Sequence, residues 1–290
     1  MNDTYFKKQF TFNPSPITVE IEFVKYKEKE IPKTIYKYRD WTNKFHKKLI
    51  TNREVFFPPA VGLNDPFDSQ RNFDWEELLD PEKHKQYNEI ASKRVAQIHN
   101  LSEQERIKFM NEGLEQKMNH ERIKEMELSV EEKDGWMNKL AGTFTTSLIN
   151  NSILLWSHYA DSHRGFSVGL DTKLILDSIK HGGDCQFADY NPKLELISML
   201  DDIITELGRK TFAKYEVWGY EFEFRILAGQ LKSHKIFPPP EAFKEIIFGI
   251  NTSGSDKAEI KHRARKQIPS VKFFQAQKVR NEYRIEILPL

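Results

Sequence analysis

Glu221, Glu223 and Arg225, spaced two apart, are the residues of this chain best placed by type to do chemistry. They sit in the run Trp218-Gly219-Tyr220-Glu221-Phe222-Glu223-Phe224-Arg225-Ile226-Leu227. A β-strand turns successive side chains to opposite faces. Read as one strand, the run puts Trp218, Tyr220, Phe222, Phe224 and Ile226 on an apolar face and the three charged residues on the other. Burying the aromatic face holds the register and keeps the two carboxylates about 7 Å apart along the strand. Such a pair can stabilise a developing positive charge or hold sugar hydroxyls. The plainer reading is a solvated strand face whose Glu and Arg side chains pair with each other.

A second concentration of polar chemistry is Leu155-Trp156-Ser157-His158-Tyr159-Ala160-Asp161-Ser162-His163-Arg164-Gly165. Its aromatic faces could wall a ligand, with His158 and Tyr159 supplying directional hydrogen bonds. A metal site would use His158, Asp161 and His163, and would make the chain a metal-dependent hydrolase. A buried histidine satisfied by backbone is the commoner arrangement. Lys261-His262-Arg263-Ala264-Arg265-Lys266 is the one dense basic run. It reads as a solvated helix face, or alternatively as a patch that contacts nucleic-acid phosphates. Phosphate-binding P-loop, dinucleotide Gly-x-Gly-x-x-Gly, Gly-x-Ser-x-Gly and His-Glu-x-x-His motifs are all missing from the sequence.

These side chains need a scaffold, and the chain is long enough to build one. Its 290 residues are 39% hydrophobic, with 21 Phe, which fits a folded protein with a substantial core. Formal net charge is +1, so no global field attracts nucleic acid or a membrane. Cys185 is the single cysteine, which rules out an intramolecular disulfide and a thiolate-rich zinc site. With no apolar leader or membrane-length segment, the expected location is cytoplasmic and reducing.

Alternation predicts a strand at 17–26, and further strands are read at 35–39, 54–57, 143–147, 165–170 and 244–249, with a closing hairpin over 271–275 and 283–288. Asn64-Asp65-Pro66-Phe67 is a turn, since Asn and Asp bond their own backbone and Pro fixes φ. Residues 74–139 are charged, poor in β-branched side chains, and predicted to be two or three helices, with Ser102 and Glu105 forming a capping box. Further helices are expected over 153–160, 172–180, 193–214 and 253–266. Without a regular βαβ rhythm the class is α+β: a twisted mixed or antiparallel sheet core with flanking helices. We expect a single domain over 1–290, with 74–139 as a charged helical insertion that offers a surface to a regulatory partner.

Four motifs in order, Tyr36-Lys37-Tyr38-Arg39, Asn64-Asp65-Pro66-Phe67, Leu155-Trp156-Ser157-His158-Tyr159-Ala160-Asp161 and Trp218 to Arg225, resemble the uncharacterised bacterial family called domain of unknown function 2971. That resemblance spans about residues 35–250 and carries no activity. Arg39, Thr145-Thr146-Ser147 and Glu221-x-Glu223 also resemble the strand motifs of ADP-ribosyltransferases of the arginine–serine–glutamate kind, with Thr145 in place of the first serine. This second resemblance implies split sheets around NAD, used as substrate without a metal. It further implies cleavage of the nicotinamide–ribose bond and transfer of ADP-ribose to a protein or nucleic-acid acceptor, or to water. On it, Glu223 stabilises the cationic ribose and Glu221 orients the acceptor. Arg39 pairs with pyrophosphate, Thr145 and Ser147 position the ribose, and Tyr38, His158 or Tyr159 wall the nicotinamide pocket. A bacterial toxin or antiviral defence effector would fit that activity. The rival from another class is a non-catalytic nucleic-acid or protein-binding module.

Overall fold

The computed structural model describes residues 5–12, 17–69, 72–137, 141–180, 183–194, 196–202, 208, 211–229 and 231–290. Three strands, β1 (Tyr5–Phe12), β2 (Ile17–Tyr26) and β3 (Lys29–Pro32), form an antiparallel sheet of their own. The chain then enters β4 (Thr34–Arg39), β5 (Val55–Phe56), β6 (Ala141–Ser147) and β7 (Phe166–Asp171). Next come β8 (Gly183–Phe187), β9 (Asp189–Asn191), β10 (Ala213–Tyr215), β11 (Glu223–Gly229) and β12 (Lys235–Ile236). The last are β13 (Phe243–Phe248), β14 (Lys272–Lys278) and β15 (Ile285–Pro289).

Among the described residues, eight of these strands make one sheet in the order β15-β14-β13-β7-β4-β6-β11-β8. Its neighbours are antiparallel except β13 with β14, which run parallel. The class is α+β, as the sequence predicts.

The junction of β4 and β6 is unlike the others. β4 pairs with β7 along its whole length, from Thr34 opposite Asp171 to Arg39 opposite Phe166. It meets β6 at a single register pair, Tyr36 opposite Ser147. Past that pair the two strands run unpaired, which opens a fork in the middle of the sheet. Lys37 bridges the fork, its Nζ donating to the Thr145 carbonyl that a neighbouring strand would otherwise satisfy.

One face of the sheet carries the main core. Phe144, Phe166, Val168, Phe222, Phe224, Ile226, Ile246 and Phe248 pack there with α1 (Lys48–Thr51), through Leu49 and Ile50. Burying each such side chain contributes about 1.5–3 kcal/mol. The other face holds a smaller cluster built on Trp156, Tyr38, Ile247 and Ile285.

Residues 74–139 contain a 3-10 turn at Trp75–Leu79 followed by α2 (Pro81–His99), α3 (Glu103–Glu115) and α4 (His120–Met137). Asp80 caps α2, and the capping box of Ser102 and Glu105 opens α3. Trp75, Leu78 and Ile123 form a small core of their own at this end. The remaining helices are α5 (Ile153–Tyr159), α6 (Thr172–Asp177) and α7 (Gly254–Gln267). Ile175 and Leu176 of α6 and Ile260 and Ala264 of α7 join the main core.

Two expectations need correction. The helix expected over 193–214 falls partly outside the described residues, and 213–215 is a strand lying parallel to β9. The single strand expected over 218–227 is broken. Glu216–Glu221 is a 3-10 helix, Phe222 takes a left-handed conformation (φ 47°, ψ 53°), and β11 begins only at Glu223. The aromatic alternation was sound from Phe222 onward, because Phe222, Phe224 and Ile226 are buried in the core. Trp218 and Tyr220 instead stand on the helical turn, Tyr220 packing with the second cluster. Tertiary packing holds the left-handed residue, which costs about 1–2 kcal/mol for a side chain bearing Cβ.

Candidate active site

The fork between β4 and β6 is a cleft. Tyr38 and Arg39 of β4, Thr145 and Ser147 of β6, Tyr159 at the end of α5, and Glu221 and Glu223 all line it. Lys37, Asn64, Asp68 and Lys214 complete the polar lining. Residues drawn from six separated sequence stretches therefore share one concavity. The volume open to solvent inside it is about 70 Å³, small beside the roughly 300–1,000 Å³ of ordinary small-molecule sites.

Ser147 is the hinge of this arrangement, standing opposite Tyr36 on one side and Glu223 on the other. Its Oγ accepts from the Ile149 amide at 3.2 Å, so its own proton is free to donate. Thr145 Oγ1 accepts from Lys37 at 3.1 Å. The Tyr38 hydroxyl is committed to the Ile149 carbonyl at 2.8 Å, and its ring meets Trp156 edge-on. Its proton is thereby spent inside the protein, and its ring contributes a wall.

The two glutamates converge through the kink rather than through strand alternation. Lys214 Nζ donates to Glu221 Oε2 at 2.5 Å and to Glu223 Oε2 at 3.1 Å. The Tyr159 hydroxyl donates to Glu221 Oε1 at 2.5 Å, so both oxygens of Glu221 are engaged. Arg225 binds Glu223 Oε2 through Nε at 3.0 Å and Nη2 at 2.8 Å. It grips Asp68 with two bonds of 2.7 Å each, and the Thr211 carbonyl at 2.6 Å. The Glu223 backbone N–H donates to the Tyr190 hydroxyl at 3.0 Å, which fixes the start of β11.

All the side-chain bonds given to Glu223 fall on Oε2, and Oε1 is left for the cleft. Burial would raise this carboxyl, but Arg225 and Lys214 outweigh it and hold it below the usual range. Burial would lower Lys214, and Glu223 with Glu221 reverses that. The Tyr159 hydroxyl is pushed up by burial and by the charge on Glu221, so it stays a donor. Glu223 is therefore an ionised carboxylate, one oxygen of which accepts no side-chain bond among the described residues.

Arg39 and Lys37 stand two apart on β4 and have different surroundings. Arg39 donates weakly to its neighbour's carbonyl at 3.4 Å. Among the described residues neither side chain has a carboxylate within ion-pair distance, whereas Lys214 and Arg225 share three.

His158 is the expected site residue that the fold leaves out. It lies exposed on α5, with Nδ1 3.2 Å from the Tyr220 hydroxyl, and does not line the cleft. His163 bonds Ser157 at 3.1 Å and stacks on Trp156, while Asp161 pairs with Arg164. Among the described residues no three His, Cys, Asp or Glu side chains are grouped to hold a metal. Asp161, Ser162 and His163 have φ of 47°, 52° and 67°, a left-handed turn that swings the chain from α5 into β7.

The comparisons bear on this segment. Residues 155–226 match the family model described as protein of unknown function (DUF2971). The matched segment runs from α5 to the middle of β11 and carries Tyr159, Lys214, Glu221 and Glu223 of the cleft's polar lining, with Arg225 behind them. The family resemblance seen in the motifs holds there. No curated protein and no solved structure matches the chain.

Sequence reasoning missed Lys37, Asp68 and Lys214. The signal for Asp68 was present: the turn at 64–67 delivers it, with Asp65 accepting from the Phe67 amide at 2.9 Å and from the Asp68 amide at 3.1 Å. Lys37 lay inside a quoted motif, and Lys214 inside the misread helix.

Proposed function

We propose that this protein cleaves the nicotinamide–ribose bond of NAD and transfers ADP-ribose to an acceptor or to water. The observation that carries the reading is the meeting of Arg39, Thr145, Ser147, Glu221 and Glu223 in one cleft at the sheet fork. In this reading the glycosidic bond breaks with its electron pair leaving on nicotinamide, which departs neutral. Positive charge develops on the ribose, and Glu223 Oε1 stabilises it electrostatically. The nucleophile then adds to the ribose carbon and gives up a proton. Ser147 and Thr145 offer hydroxyls to the ribose, and Arg39 offers a planar donor fork to the diphosphate.

Size sets a condition on the fit. A space of about 70 Å³ admits only part of a dinucleotide, so the nicotinamide ribose and the diphosphate would meet the cleft while the adenosine lies outside. A cavity of about 360 Å³ adjoins the cleft, sharing Asp68 and Lys214 with it, and offers room in that direction.

The test is nicotinamide release from NAD by the purified protein beside Glu223→Gln, which keeps shape and loses charge. Release by the wild type that drops by roughly 100-fold or more in the variant supports the reading. Equal rates in the two proteins, or no release with protein, DNA and RNA supplied as acceptors, would overturn it. The binding-module alternative rests on the basic run of α7. His262, Arg263, Arg265 and Lys266 are exposed there, while Lys261 lies over the Phe248 and Phe273 rings. They stand on an exposed helix face and none lines the cleft, so the solvated-face reading is the better one.

A further inference from the structure

The charges of the cleft are divided. Glu221, Glu223 and Asp68 are claimed by Lys214 and Arg225, at N···O distances from 2.5 to 3.9 Å. Lys37 and Arg39 line the same cleft, and among the described residues their hydrogen bonds go to neutral oxygens. Two basic side chains held side by side without an ion-pair partner among the described residues repel each other whenever both are charged, and burial adds a desolvation cost. A fold retains such a pair at a cleft most simply when a ligand supplies the missing charge.

The geometry points to a diphosphate-binding site formed jointly by Lys37 and Arg39, in which Lys37 is a ligand-binding residue in its own right. This deepens the NAD reading and rests on it for the identity of the nucleotide, while the anion chemistry stands without it. Residues two apart on a strand lie about 6.6 Å apart along it, a span suited to two linked phosphates. Arg39 supplies a flat fork and Lys37 a point charge.

Donor counting adds a consequence. Lys37 spends two donors, on the Thr145 carbonyl and on Thr145 Oγ1. An uncharged amine has no third N–H, whereas an ammonium has one left for phosphate. The groups acting on Lys37 are Arg39 on its own strand, Lys214, Glu221 and Glu223 across the cleft, and His46 nearby. Burial and Arg39 favour the uncharged amine, and the glutamates oppose them. Anion binding therefore draws a proton onto Lys37.

The experiment is calorimetric titration of the whole protein with ADP-ribose, inorganic pyrophosphate and adenosine, in buffers of different ionisation enthalpy. We expect ADP-ribose and pyrophosphate to bind the wild type with proton uptake, and adenosine to bind without it. Lys37→Met should weaken ADP-ribose by about 10-fold or more and abolish the uptake. Lys37→Arg, which is always charged, should keep most of the affinity and also lose the uptake. If Lys37→Met fails to fold, the Lys37→Arg result decides. Unchanged ADP-ribose affinity in Lys37→Met, persistent uptake in Lys37→Arg, or no binding of either phosphate probe by the wild type would each overturn the proposal. Nicotinamide release separates the two ideas. Phosphate binding without release removes the NAD chemistry alone, and release with Lys37→Met affinity unmoved removes the Lys37 site alone.

Discussion

Asp68 and Arg225 form a two-bonded ion pair of 2.7 Å per bond with the arginine fully buried, and through it the 64–67 turn is tied to the strand that carries Glu223. Arg225 also grips Glu223, so the side chain that orients the candidate catalytic carboxylate is itself oriented from a distant loop.

Asp68→Asn should therefore be costly. The variant leaves a buried guanidinium short of one anion, and breaking one partner of a buried pair costs about 3–5 kcal/mol. Urea unfolding at neutral pH should show a lower midpoint with unchanged slope. A midpoint within error of the wild type would mean that Glu223 alone suffices for Arg225.

The same network sets an acid limit. Glu223 is held below its ordinary range in the folded protein, so its contribution is present above the unfolded-state value and is lost as pH falls through the lower folded one. In Glu223→Gln the acid side of the stability profile should be shallower. Parallel profiles for variant and wild type would show that Glu223 contributes no linkage.

His46 acts in a neighbouring window. Burial, with Arg39 second, holds it down at about 4, and its Nδ1 accepts from the Asp40 amide at 3.3 Å. Between about pH 4 and its ordinary 6.5 the unfolded chain takes up a proton that the folded one refuses, so stability falls as pH drops. His46→Gln should flatten this stretch of the curve. If unfolding midpoints of the two proteins fall equally from pH 6.5 to 4, the histidine is not responsible.

Phe222 joins the core to the site. It is 2% exposed and occupies the left-handed position between the 3-10 turn and β11. Phe222→Ala should cost about 3–5 kcal/mol and loosen the alignment of Glu221 with Glu223. Calorimetry and nicotinamide release should fall together. A stable variant with full release would show that the kink does not depend on this ring.

Gly165 offers a test away from the cleft chemistry. A Cβ there would stand 2.2 Å from the Arg39 carbonyl oxygen, so the end of β4 must move. Gly165→Ala should destabilise by about 1–3 kcal/mol and weaken ADP-ribose binding through Arg39. Unaltered affinity would show that Arg39 does not hold the ligand.

Much of the frame was readable in the chain. Alternation marked β2, and short runs of β-branched and aromatic residues bounded by turn signals marked β4, β6, β7 and β13. Capping chemistry marked the starts of α3 and α7, where Ser102 and Ser253 accept amide protons. The residue types of the cleft were legible as well, in Arg39, Thr145, Ser147, Tyr159, Glu221 and Glu223.

What the sequence by itself determined was therefore the local alternation, the caps, the α+β class and the chemical types available. Only the tertiary structure decided the rest. It placed β4 beside β6 with one register pair, broke the glutamate run at Phe222, brought Asp68 and Lys214 to the carboxylates, and left His158 outside. The physical reason is range. Alternation and capping are satisfied by neighbours a few residues apart, whereas the Asp68–Arg225 pair links positions 157 residues apart and forms only once the sheet has assembled.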